Sequence, residues 1–338
     1  MDDTTAPSPF LPGTSIQYAW DSTSLGLIKT CPRLYQYTMI DGWGHAAESI
    51  HLRFGQEYHS ALQAYEIARA DGVEHEAAIH FAIQQLLEAT CGWVVDTTAK
   101  PGKYKNRESL IGLVLDYLDY YGKDDPATTF IRPDGAPAVE LSFRFELDFG
   151  PRTQYTNVHE RDWNAADAAE AHNAAAQPYL LCGHLDRVVS FNDTLFVMDH
   201  KTTTSTLSES FFRQWSPSNQ MTLYTLAGKV ILNAPVRGVI ISGAQLLLEQ
   251  PNRFVRGFTY RTPDQLDEWL VDLSITLRTA EAYAAAGYWP QNDTACDKFG
   301  GCRFREVCSK SPTVRDKFLA TDFVKLPEAD RWNPLKSR

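Results

Sequence analysis

The chain lacks several features that would send it toward a membrane, the cell exterior or a nucleic-acid coat. It contains no run of about eighteen apolar residues, so no conventional membrane-spanning helix is expected. The first residues, MDDTTAPSPF, are acidic and carry no apolar stretch of the kind that drives secretion. Six cysteines in 338 residues are too few for a secreted disulfide framework, which makes a reducing cytosol the expected setting. A basic excess is also missing: the formal net charge is -10, which argues against a general nucleic-acid coat. It leaves open a local basic groove beside a bound cation. No internal repeat is present. The sequence is 43% apolar and 12% aromatic, enough for a sizeable core. The reading is one elaborated α/β domain over residues 21–310, with a loosely held arm at 1–20 and a tail at 311–338.

The most informative stretch is 180–204, LLCGHLDRVVSFNDTLFVMDHKTTT. Two β-prone runs flank Asn192 and Asp193, residue types that tolerate positive φ and favour a tight hairpin turn. A turn at those residues sets Asp186 opposite Asp199 and projects Lys201 from the same face. A loop of odd length would turn one carboxylate away. Facing carboxylates repel, and a divalent cation removes that cost, while a neighbouring lysine can orient a water. The alternative is a surface hairpin with ordinary solvated ion pairs. Phe196, Val197 and Met198 lead straight into Asp199, so the charges end strands that look buried, where charges are normally paired or metal-bound.

Around this hairpin the chain reads as follows. Asp21 or Ser22 caps a short helix that runs toward Cys31. Residues 49–70 form a helix with Leu52, Tyr58, Leu62, Tyr65 and Ile67 among its packing residues, with Gly55 and His59 one turn apart on one side. Gly55 is costly inside a helix and suggests close approach of something to the backbone. His59 is either a site residue or a histidine bonded to core or solvent. Helices at 74–90 and 108–121 bracket a basic loop with Lys100, Lys103, Tyr104, Lys105 and Arg107. Such a loop suits phosphate contacts and base stacking, or is simply solvated. Alternation from Val139 to Leu147 marks a strand beginning next to Glu140. Residues 151–177 read as an insertion or lid. Ser216 and Pro217 look like an N-cap and first helical position, which puts Gln220 and Tyr224 on one helical face. Two β-like runs follow at 236–248 and 253–260. Thr262 to Gln265 forms a capping box that opens a helix to about residue 287.

Cys296, Cys302 and Cys308 recur at even spacing in CDKFGGCRFREVC, where the glycine pair at 300–301 lets the chain turn tightly. With Cys31 they make four thiols, which match a [4Fe–4S] cluster, structural zinc or reduced cysteines. Cys91 and Cys182 read as core thiols.

Five motifs stand in a recognisable order: Gly55 to His59, Gly183 to Asp186, Asp199 to Thr202, Gln220 to Tyr224, and the Cys31 plus cysteine-trio set. Together they resemble the RecB-like branch of the PD-(D/E)XK nucleases, over about residues 31–308. Within it the chain is similar to the iron–sulfur members: the AddB nuclease domain and the CRISPR-associated and phage-encoded exonucleases. That resemblance implies a mixed central sheet flanked by helices, its terminal segments joined through a four-cysteine [4Fe–4S] cluster, zinc being the alternative. It implies Mg²⁺- or Mn²⁺-dependent hydrolysis of DNA, as an exonuclease in recombination, repair or phage DNA processing. Asp186, Asp199, the carbonyl of His200 and His59 would hold metal, and Lys201 would position the water. Gln220 and Tyr224 would line the site, with Glu140 a further candidate. No helicase motif is present, so unwinding would fall to a partner helicase or recombination protein. The alternatives are a non-catalytic DNA-binding or scaffold subunit of the same fold, and an RNA-cleaving member.

Overall fold

A computed structural model describes residues 6–45, 49–98, 100–151, 177–298 and 301–336. The chain divides into two compact units: Met1–Ala47, Ser142–Gly183 and Asp267–Arg338 form the first, Glu48–Leu141 and His184–Leu266 the second. The strands in chain order are β1 (Ala19–Trp20), β2 (Trp43–Gly44), β3 (Thr128–Thr129), β4 (Val139–Glu146), β5 (Leu180–Phe191), β6 (Thr194–Thr203), β7 (Gly238–Gln245), β8 (Arg253–Tyr260) and β9 (Val324–Lys325).

In the second unit β5 pairs antiparallel with β6, β6 parallel with β7, and β7 antiparallel with β8, while β3 pairs with β5. The sheet is therefore mixed. Every residue of β7 is buried, as expected of a strand covered on both faces. Alternation along β6 sends Val197, Asp199 and Lys201 to one face and Phe196, Met198 and His200 to the other. On the first face lies helix Asn219–Leu232, whose Gly228 lets Val197 approach: a Cβ there would come within 3.1 Å of the valine. On the other face Tyr58 and Tyr117 meet the His200 ring edge-on. These tyrosines belong to a core shared by helices Ile50–Ala70, His75–Ala89 and Arg107–Tyr121. Tyr58, Leu62 and Tyr65 pack as the periodicity predicts, but Leu52 and Ile67 are exposed, because the buried stripe runs through Phe54 and Ala61 instead.

In the first unit β1 runs parallel to Leu180 and Leu181, and β2 pairs with β9. Asp21 caps helix Ser22–Thr30 through a reciprocal capping box with Ser24. Tyr35 is fully buried between Trp20 and Trp289. Residues 6–20 and 311–336, expected as a loose arm and a tail, belong to this unit and are packed. Leu11, Ile16, Trp20, Leu319, Phe323 and Leu335 are all buried. The apolar residues in these polar-looking segments find partners only after the chain has folded back.

The Thr262–Gln265 capping box forms as predicted and opens helix Pro263–Ala286. The expected cap at Ser216 is displaced: Ser218 is the N-cap of the Asn219–Leu232 helix, its hydroxyl accepting from Met221 N–H. Cys182 is buried, but Cys91 is exposed just beyond its helix and is not a core thiol. Of the expected insertion at 151–177, residues 152–176 lie outside the described residues, as does Gly300. Among the described residues no helix is long and apolar enough to cross a membrane.

Candidate active site

The site begins at the hairpin turn. Asn192 and Asp193 have φ of 48° and 57°, the paired left-handed conformation of a type I′ turn. The register follows from it, from Phe191 opposite Thr194 to Arg187 opposite Met198. The next pair in that register is Asp186 and Asp199, and there the ladder stops. Asp186 takes over with its side chain, whose Oδ2 accepts from the His200 backbone N–H at 3.0 Å. The strands thus fork at two carboxylates that are almost wholly buried. Upstream, Gly183 is required because a Cβ would lie 2.6 Å from the Phe143 ring.

Each carboxylate has its own partner. Lys201 Nζ donates to Asp199 Oδ1 at 3.0 Å and to Gln220 Oε1 at 3.3 Å, and lies 2.8 Å from Asp199 Oδ2 as an ion pair. Gln220 Nε2 in turn donates to the Tyr224 hydroxyl at 3.0 Å, so the i, i+4 pair acts as a strut behind the lysine. The Lys201 ammonium also lies 5.1 Å from the centroid of the Trp215 ring. His59 reaches the other carboxylate, with Nδ1 3.2 Å from Asp186 Oδ2 and Nε2 3.0 Å from the His200 carbonyl.

Among the described residues, the group of metal-capable side chains whose ligand atoms lie within 4.8 Å of one another is His59, Glu140 and Asp186. Glu140 has φ of 46°, a left-handed conformation rare for a non-glycine residue and costing about 1–3 kcal/mol. The strain aims a carboxylate at the fork from the start of β4, a position the family resemblance names as a further candidate.

The charges respond to one another. Burial pushes Asp186 up, but the His59 ring beside it outweighs this and holds the carboxyl well below the usual carboxylate range. Burial disfavours charge on His59, and the Asp186 carboxylate more than offsets that, so the imidazole titrates above its ordinary value. Asp199 is raised, by burial first and by repulsion from Asp186, against the pull of Lys201. Both His59 nitrogens face oxygen acceptors, which suits a doubly donating imidazolium.

Behind the fork lies a buried ionic cluster that sequence spacing does not reveal. Arg187 contacts Glu66 at 3.0 Å and Asp125 at 3.7 Å, and Arg256 grips Asp125 at 2.5 and 2.7 Å. Its members come from four distant parts of the chain, so no local pattern could flag them.

The basic loop divides into separate parts. Arg107 is structural, donating to Thr90 Oγ1 and the Leu87 carbonyl at the end of helix His75–Ala89. Lys100 lies over the Tyr104 ring, and Lys103 is exposed. Lys105 alone turns inward, to Thr202 of β6.

In the first unit the expected cysteines are near one another without forming a tight ligand group. Charge on Cys31 and Cys302 is felt at both Cys296 and Cys308. Cys302 N–H donates to the Cys296 carbonyl, and Asn292 N–H to Cys31 Sγ at 3.3 Å.

A mixed α/β sheet that forks at two buried carboxylates, with a lysine and a histidine converging on them, has the form of a hydrolytic site with an acidic cation-binding centre. Residues 22–309 match the PD-(D/E)XK nuclease superfamily, and the chain belongs to it. Among solved structures it is similar to a protein from Eubacterium rectale provisionally designated an exonuclease. The identity is 11%, over 89% of this chain and 92% of that one, with a TM-score of 0.47. No curated protein matches the sequence.

Proposed function

We propose that the protein is a Mg²⁺- or Mn²⁺-dependent deoxyribonuclease of the RecB-like branch, acting as an exonuclease on DNA ends or single strands in recombination, repair or phage DNA processing. The observation that carries this reading is the fork itself: Asp186 and Asp199 buried at one strand end, each with its own cationic partner. Facing carboxylates at a buried strand end are costly, and a hydrolytic role accounts for their presence.

The donor set fits a hard divalent cation, being rich in carboxylate oxygen with one imidazole and a backbone carbonyl at hand. Asp186, Asp199, the His200 carbonyl and His59 would hold it, with Glu140 able to join. Such an ion supplies Lewis-acid stabilisation of charge on a phosphoryl group and lowers the pKa of water. The chain's own residues do the rest. Lys201, braced between Asp199 and Gln220, orients the attacking water and handles a proton at Nζ. Tyr224 fixes the amide of Gln220 so that its oxygen faces the lysine.

The same reading assigns Cys31, Cys296, Cys302 and Cys308 to a [4Fe–4S] cluster with a structural role. Its support is that Cys296 and Cys308 both feel charge on Cys31 and Cys302, together with the N–H donated to Cys31 Sγ, the kind of contact that tunes cluster thiolates. Structural zinc is the alternative occupant of the same four thiols.

The test is digestion of end-labelled single- and double-stranded DNA, with RNA alongside, in Mg²⁺, Mn²⁺ and EDTA. Metal-dependent release of nucleotides from DNA ends is expected. Cleavage of RNA but not DNA, or of neither, would overturn the assignment.

A further inference from the structure

Lys105 has surroundings unlike those of the other buried cations. It is 5% exposed, yet among the described residues no carboxylate lies within 4 Å of its ammonium. Arg187 is paired with Glu66, and Arg33 and Arg261 donate to backbone carbonyls. Among the described residues Lys105 Nζ has one hydrogen-bond acceptor, Thr202 Oγ1 at 3.3 Å, and it lies 5.2 Å from the Phe54 ring centroid. An ammonium with three donors and one weak acceptor, removed from water, is a cost to the fold unless an anion completes it. Burial lowers its pKa to about 8, consistent with that desolvation.

Its position gives the cost a purpose. Thr202 directly follows Lys201 on β6, so ammonium and hydroxyl stand beside the catalytic strand. Phe54 precedes Gly55 in helix Ile50–Ala70, where His51, Gly55 and His59 fall on one face at four-residue spacing. The charge of Lys105 is felt at His51. Among the described residues a Cβ added at Gly55 would meet nothing within 4 Å, so the glycine makes no room for any of their atoms. Alanine would serve the helix better.

We propose that Lys105 and Thr202 form a built subsite for a backbone phosphate of the nucleic-acid substrate, and that Gly55 keeps the adjoining helix face open for the strand to pass. The inference rests on the nuclease reading and deepens it by naming where the strand is held. It also separates Lys105 from the rest of its loop.

The experiment measures binding of a short labelled DNA single strand in EDTA, where hydrolysis is stopped, across a salt series. Thermal unfolding and cleavage kinetics are measured in parallel. Lys105→Met is expected to bind about tenfold more weakly, as for loss of one charge-assisted contact, and to lower the salt slope by about 0.7. KM should rise more than kcat falls, and the melting temperature should hold or increase. Gly55→Ala is expected to melt higher yet bind DNA more weakly. Unchanged affinity and slope in Lys105→Met, or a lowered melting temperature with wild-type binding, would overturn the subsite and leave the nuclease standing. A stabilised Gly55→Ala with unchanged affinity would overturn the open face. A wild-type protein that neither binds nor cuts DNA would sink both.

Discussion

The carboxylate fork of the second unit and the cysteine segment of the first solve different problems. At the fork, a two-residue turn sets a register, and the register sets the chemistry: Asp186 and Asp199 are matched because Asn192 and Asp193 both turn left-handed. The charges are already balanced within the protein, with His59 on Asp186 and Lys201 on Asp199. The cysteine region depends on closure over a great length of chain, and it too is partly tied by protein contacts alone. Asn292 donates to the Thr30 carbonyl and to Cys31 Sγ, and Arg33 to the Trp289 carbonyl. The lesson is that a site built on one hairpin is preorganised by local geometry, whereas one built from both ends of a chain needs many weak ties before any ligand can complete it.

The comparison is sharpened first at the fork, where the largest effects are expected. Asp186→Asn and Asp199→Asn should each abolish detectable cleavage and weaken Mn²⁺ binding by calorimetry while leaving the fold intact. Lys201→Ala should still bind metal and DNA but cleave roughly 10²–10⁴-fold more slowly, the span for a positioned proton-transfer group. Wild-type rates in Asp199→Asn would break the assignment. So would loss of metal binding in Lys201→Ala, which would break the division of labour.

Next in size is the ionic cluster supporting the fork. Asp125→Asn leaves Arg256 and Arg187 short of a buried counter-charge and should cost about 3–5 kcal/mol in denaturant unfolding. A change of only a few tenths would mean that the arginines relax to other acceptors.

The cysteine region should respond in the opposite sense from the fork. Cys302→Ala should lower iron content and destabilise the protein by about 2–4 kcal/mol, the scale for cross-links closing long loops. The folded fraction should keep its metal-dependent cleavage rate. Stoichiometric zinc with no iron in anaerobically prepared wild type would remove the cluster. Lost cleavage with fold and iron both intact would remove its purely structural role.

The smallest expected effect is a pH dependence of the metal-free protein. His59 titrates above its unfolded value, so its contribution is complete below about pH 6.5 and is lost as pH rises through the folded pKa. Asp186 titrates below its unfolded value, so its contribution is present above about pH 4 and is lost as pH falls. Stability from this pair should therefore peak between those limits. His59→Gln should flatten the profile, and an unchanged profile would show that the pair contributes little.

Where local chemistry was decisive, the sequence was informative. The turn residues, the alternation leading into Asp199, the helix cap at Asp21 or Ser22, the capping box at Thr262 and the Gln220–Tyr224 spacing each state a short-range rule, and each appears in the fold, the cap falling on Asp21. Ser216 misled because Ser218, two residues on, makes the better cap once the helix is placed. In the basic loop, residues that look alike in one dimension part ways in the structure: Arg107 donates to a helix end and Lys105 to Thr202.

By itself, then, the sequence determined the hairpin, its register and the order of its motifs, because turn type and side-chain alternation act over a few residues. Only the tertiary structure decided that Glu140 joins His59 and Asp186, that Arg187 and Arg256 converge on Asp125, and that residues 6–20 and 311–336 pack into the first unit. Those outcomes depend on burial and on partners tens to hundreds of residues apart, and the free energy of a buried charge is set by what surrounds it rather than by its neighbours in the chain.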